Sequence, residues 1–135
     1  MADAKARERP LSPHLQIYRW PLPMMMSIAH RVTGVALYVG MLLVVWWLIA
    51  VASGPGSYSR FTGFINSWVG RLILFGYTWA LIHHMLGGIR HLIWDTGHGF
   101  EPHEREWLSL ATAVGSVTLT LVLWFIGYFV IGGPR

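Results

Sequence analysis

Between His83 and Asp95 the chain reads HHMLGGIRHLIWD, so three histidines, an arginine and an aspartate stand at the end of an otherwise apolar run. On a helix of ~3.6 residues per turn, His84, Gly88, His91 and Asp95 fall on one stripe, and His83, Gly87, Arg90 and Trp94 on the next. A glycine one turn from a histidine leaves a flat surface on which a large planar ring can lie. Imidazole is a common axial ligand of haem iron, and a b-type haem needs only such ligands and a packed pocket. His84 lies about 7–8 Å inside the charged end of the run at ~1.5 Å per residue, which makes it the best ligand candidate. His91, ~10 Å further along, is too close to carry a second haem on the same helix. A pattern of small residues also serves plain helix packing. The density of ionisable groups favours a site, because each costs ~2.5–3.5 kcal/mol near the middle of a span and less towards its ends.

A second group occurs in SIAHRVTG, where Ser27 and Arg31 are four residues apart on one helix face with His30 beside them. A hydroxyl donor and a fixed cation at a membrane boundary suit a carbonyl that gains negative charge on reduction, and a quinone head group is such a carbonyl. The same residues, taken alone, also serve as an N-cap serine and a snorkelling arginine. If His84 ligates a haem, the second axial ligand must come from His30, from Met24, Met25, Met26 or Met85, or from another chain.

These groups need elements to hold them, and the composition sets what those are. Of 135 residues, 54% are hydrophobic and only 12% charged, which is outside the range of soluble globular domains. Residues 32–59, 72–89 and 107–134 contain no Asp, Glu, Lys or Arg, and each holds about the ~18–20 apolar residues that cross a bilayer as helix. The pattern predicts an all-α membrane protein with three transmembrane helices at about 25–53, 69–95 and 106–132. Residues 1–24 form a cytoplasmic or interfacial segment, and 25–135 a single transmembrane domain. Four prolines in RPLSPHLQIYRWPLP oppose one continuous helix before the first span. After SGPGS, the spacing of Tyr58, Phe61, Phe64, Ile65 and Trp68 predicts a short interfacial helix leading into the second span.

Lys5, Arg7, Arg9 and Arg19 precede the first span and Arg90 and Arg105 follow the core of the second, against Arg60, Arg71 and Arg135 on the other side. The positive-inside rule therefore predicts the N-terminus and the second loop inside. The start of the first helix and the end of the second then share a leaflet, which brings Ser27, His30 and Arg31 to the level of His84, Arg90, His91 and Asp95. The opening MADAKARERP has neither the apolar core of a signal peptide nor the acid-free composition of a transit peptide. The net charge of +4 is spread along the flanks of the spans, which argues against nucleic-acid binding. With no cysteine, the chain offers no thiolate-bound cluster, c-type haem attachment or disulfide. A three-helix chain with no long hydrophilic segment has no catalytic domain of its own, so catalysis requires partners or a bound cofactor.

Taken together, RPLSPHLQIY, SIAHRVTG and HMLGGIRHLIWD resemble the cytochrome b556 family, the larger membrane anchors of succinate dehydrogenase (respiratory complex II). The resemblance covers Arg9 to about Asp95 and fades to hydrophobic character in the third helix. It implies one haem b held in a helix bundle shared with a second, smaller anchor subunit, together with an iron-sulfur subunit and a flavoprotein that oxidises succinate. Through the family's His-x3-Gly-Ile-Arg-His motif it implies His84 as the haem ligand on this chain, the other ligand belonging to the second anchor. It further implies Ser27 and Arg31 at the ubiquinone head group, His30, Arg31 and His91 near the haem propionates, and Asp95 in a proton network. His83 departs from the family pattern, in which an aromatic residue often precedes the ligand. The expected function is that of the anchor and cytochrome b subunit of a succinate:ubiquinone oxidoreductase in a bacterial inner membrane. A fumarate reductase anchor oxidising menaquinol and a haemless structural anchor are the alternatives.

Overall fold

The computed structural model describes residues 18–130; the expectations for the N-terminal tail and for a helix reaching 132 fall partly outside that range. Helix α1 spans Leu22–Ala52, α2 Pro55–Asn66, α3 Trp68–Asp95 and α4 Pro102–Phe125, and a π-helical turn, Ile126–Val130, prolongs α4. The spans Leu22–Ala52, Trp68–Asp95 and Pro102–Val130 contain 31, 28 and 29 residues. At ~1.5 Å per residue each exceeds the ~30 Å of a hydrocarbon core.

The boundaries follow local chemistry. α1 begins three residues before the expected start because Pro23 lies in its first turn, where the missing N–H costs nothing. Gly54, at φ 94°, turns the chain from α1 into α2, the short helix expected there. Ser67, extended at φ −65° and ψ 159°, separates α2 from α3. Its Oγ donates to the Phe64 carbonyl at 2.6 Å and accepts from Gly70 N at 3.2 Å, so one serine ends one helix and caps the next. α4 starts four residues earlier than expected because Glu101 and Glu104 form a capping box around Pro102.

α3 packs against both α1 and α4, and α1 also touches α4. The only buried hydrophobic residues among those described are Ala50 and Ala80, whereas Thr33, His83, Arg90, Ser109, Thr112, Ser116 and Thr120 are buried polar or charged groups. Large apolar side chains such as Val35, Tyr38, Leu42, Leu92 and Leu121 face outwards. This distribution suits a bilayer, where small and polar side chains join helices and apolar ones meet lipid.

Candidate functional site

The site lies where the N-terminal half of α1 crosses the C-terminal half of α3. His30 and His84 stack with ring centroids 4.0 Å apart and planes 6° from parallel. His84 Nδ1 is 3.1 Å from the backbone carbonyl of His30. A carbonyl only accepts, so Nδ1 carries the proton and Nε2 keeps a free lone pair. Thr33 stands beside this bond: its Oγ1 donates to the carbonyls of Ala29 at 2.8 Å and His30 at 3.0 Å, and is 3.5 Å from His84 Nδ1. Gly34 lets the imidazole lie on the α1 backbone, since a Cβ there would come within 3.0 Å of His84 Cε1.

His30 in turn covers Gly87, where an added Cβ would collide with its Nδ1. That Nδ1 is buried without a hydrogen-bond partner among the described residues. His91 joins the group at 5.4 Å from the His30 ring, exposed and edge-on to Trp94 at 5.1 Å. Of the two glycines read as a flat surface, Gly87 is taken by His30, and Gly88 has open space above it. The structure thus gathers His30, His84 and His91. Ser27 is half-buried at the same end of the bundle, and Arg31 and Asp95 are exposed there.

His83 and Arg90 turn the other way, towards α4, and both are 2% exposed. His83 Nδ1 pairs with Ser116 Oγ at 3.1 Å, and Arg90 Nη1 donates to Ser109 Oγ at 3.3 Å. The doubled histidine therefore divides between two interfaces, with His83 packed on α4 and His84 held on α1. Thr33, Gly34, Ser109 and Ser116 were not singled out from sequence. The last two belong to the buried series Ser109, Thr112, Ser116 and Thr120, whose helical spacing in an apolar segment was a readable signal of helix packing.

The stacked geometry also bears on ligation. Imidazole binds a metal through a lone pair in the ring plane, so two parallel stacked rings cannot face each other across one iron. Met24 is engaged by the Tyr18 hydroxyl at 3.2 Å, and Met25 and Met85 are exposed. The described residues contain no group of three or more His, Asp or Glu side chains able to hold a free metal ion. A haem iron, already bound by porphyrin nitrogens, takes only axial ligands from protein.

The sequence is similar to those of known proteins. Residues 5–125 match the model of the succinate dehydrogenase/fumarate reductase transmembrane subunit. The chain is 45% identical over 129 residues to the succinate dehydrogenase cytochrome b556 subunit of Paracoccus denitrificans, covering 93% of this chain and 99% of that one. It is 37% identical over 117 residues to the subunit of the same name from Rickettsia felis, covering 87% and 91%. To the mitochondrial succinate dehydrogenase cytochrome b560 subunit of Sus scrofa it is 44% identical over 96 residues, covering 67% and 55%. With a match that covers two spans and most of the third, and bacterial relatives of nearly equal length, this chain belongs to the succinate dehydrogenase/fumarate reductase transmembrane subunit family, as a membrane subunit that carries no succinate chemistry itself.

Proposed function

We propose that this chain anchors a succinate:ubiquinone oxidoreductase in a bacterial inner membrane, with its N-terminus cytoplasmic, and supplies one axial ligand to a haem b shared with a second, smaller anchor subunit. The observation that carries the haem reading is His84: its Nδ1 is committed to the His30 carbonyl, which orients the ring and leaves the Nε2 lone pair free. Such a backbone acceptor behind a ligating histidine fixes its tautomer and its ring orientation. The haem, when bound, would supply a one-electron store beside the quinone site. His30 Nδ1, buried and without a described partner, suits a propionate oxygen, with Arg31 and His91 nearby to balance the charge. The face above Gly88 is left open for the ring.

Ser27 and Arg31 form the chain's part of the quinone site. The Ser27 hydroxyl donates to a quinone carbonyl, and the Arg31 guanidinium steadies the oxygen as it gains negative charge, a contribution that grows in a medium of low dielectric. Asp95, exposed at the end of α3, relays protons to that oxygen. Electrons arrive from an iron-sulfur subunit that receives them from the flavoprotein, both docked at this end of the bundle.

A dithionite-reduced minus oxidised spectrum of the complex, purified through a tag on this chain, tests the reading. A b-type haem band is expected, and it is lost or weakened in His84→Ala with the chain still inserted; an unchanged band would eliminate His84 as ligand. Ser27→Ala and Arg31→Ala are expected to depress quinone reduction and spare succinate oxidation by a soluble acceptor. A colourless complex with bound partners would leave a haemless anchor, and a complex that turns over only with menaquinol and fumarate would reverse the direction.

A further inference from the structure

Arg90 is the largest fully buried side chain among the described residues, and the haem and quinone sites make no use of it. It projects from α3 towards α4, away from the face that holds His84. Its Nη1 donates to Ser109 Oγ at 3.3 Å, its guanidinium carbon stands 5.1 Å from the Trp94 ring, and its Nε has no hydrogen-bond partner among the described residues. The hydroxyl is neutral and the ring face offers only a partial charge. The described carboxylates lie elsewhere: Asp95, Glu101 and Glu106 are exposed, and Glu104 is engaged in the α4 capping box. A buried cation is stable when it is paired, and within the described chain no anion pairs this one.

Beside Arg90 is a cavity of about 200 Å³, lined by Leu86, Ile89, Ile93, Leu108, Ala111 and Thr112. One water occupies ~30 Å³, so the space admits a group much larger than a water. Ile89 and Ala111 are exposed, which puts the mouth on the outer surface of the bundle between α3 and α4. Arg90 is five residues before the end of α3, about 7–8 Å from it along the axis.

We propose that this pocket binds the phosphate of an anionic membrane lipid, with Arg90 as its counter-charge and the acyl chains running over Ile89 and Ala111. The apolar mouth selects this source of phosphate. A soluble anion would have to shed its hydration at a hydrocarbon rim, whereas a lipid phosphate sits near that depth with its own chains to cover the rim. Arginine meets phosphate oxygens with two parallel donors, and Arg90 itself lines the cavity. The proposal does not rest on the haem or quinone reading.

The test is lipid retention by the assembled complex, equilibrated in mixed micelles of phosphatidylcholine and phosphatidylglycerol and weighed by native mass spectrometry. The unaltered complex is expected to retain phosphatidylglycerol in preference to phosphatidylcholine. Arg90→Gln and Ile89→Trp are each expected to lose one phosphatidylglycerol per complex. Ile89→Trp closes the mouth and leaves Arg90 in place, so it answers even if Arg90→Gln fails to assemble. Equal phosphatidylglycerol retention by the unaltered complex and Ile89→Trp would overturn the proposal. Displacement of that lipid by millimolar inorganic phosphate would also overturn it, as the mark of a free-anion site.

Discussion

His83 and His84 are adjacent in sequence and face different helices, because consecutive helical residues are ~100° apart around the axis. The consequence is chemical. His83 meets a hydroxyl, Ser116 Oγ at 3.1 Å, and His84 meets a backbone carbonyl at 3.1 Å. The Ser116 hydroxyl already donates its one proton to the Ala113 carbonyl at 2.9 Å, so it accepts from His83 Nδ1, as the His30 carbonyl accepts from His84 Nδ1. The latter bond belongs to the His30 backbone, so it survives substitution of the His30 side chain. Gly34 is the more sensitive position, since a Cβ there would stand 3.0 Å from His84 Cε1. Gly34→Val is expected to push the imidazole off the α1 backbone at an overpacking cost of ~1–3 kcal/mol. Its measurable effect is a shifted or weakened b-type haem band, with the chain still in the membrane fraction. A band identical to that of the unaltered complex would show that His84 does not need this contact.

At the scale of elements, the rotation of α3 decides which histidine reaches α1, and α4 sets that rotation. Ser109, Thr112, Ser116 and Thr120 present a buried face of small polar side chains, against which α3 lays His83 and Arg90. Ser116→Ala keeps the volume close but leaves His83 Nδ1 buried without its hydroxyl. A cost of about 1–3 kcal/mol is expected, read as a lower temperature for thermal loss of the haem band, with Ser116→Thr recovering most of it. An unchanged midpoint would mean that water or a partner subunit satisfies His83. The spans and the short helix α2 were legible in sequence because apolar length and periodicity are local properties. The depth shared by His30, His84 and His91 was legible too, once the spans were set antiparallel. The division of His83 from His84 was not, because it depends on a helix that begins seven residues after α3 ends. The start of α4 was missed for a different reason: Glu101, Pro102 and Glu104 spell a capping box, and the polar look of EPHERE concealed it.

For the molecule as a whole, the buried polar seam and the outward apolar surface fix what faces lipid but not which end faces the cytoplasm. Charge supplies that direction. Lys5, Arg7, Arg9 and Arg19 stand before α1 and Arg105 in α4's first turns, with Arg60 and Arg71 at the other end, so the end that holds Ser27, His84 and Asp95 is expected inside. The absence of cysteine from all 135 residues allows a clean test. Ser59 on α2 and His98 in the loop before α4 are both exposed, and each can be changed singly to cysteine. In intact cells, a membrane-impermeant maleimide is expected to label Ser59→Cys and spare His98→Cys, and both are expected to react once the membrane is opened. The reverse pattern would put the histidine cluster and Arg31 on the outer side. An iron-sulfur subunit delivering electrons from the cytoplasm would then have no route to them, and the quinone reading would fall even if the haem band were present.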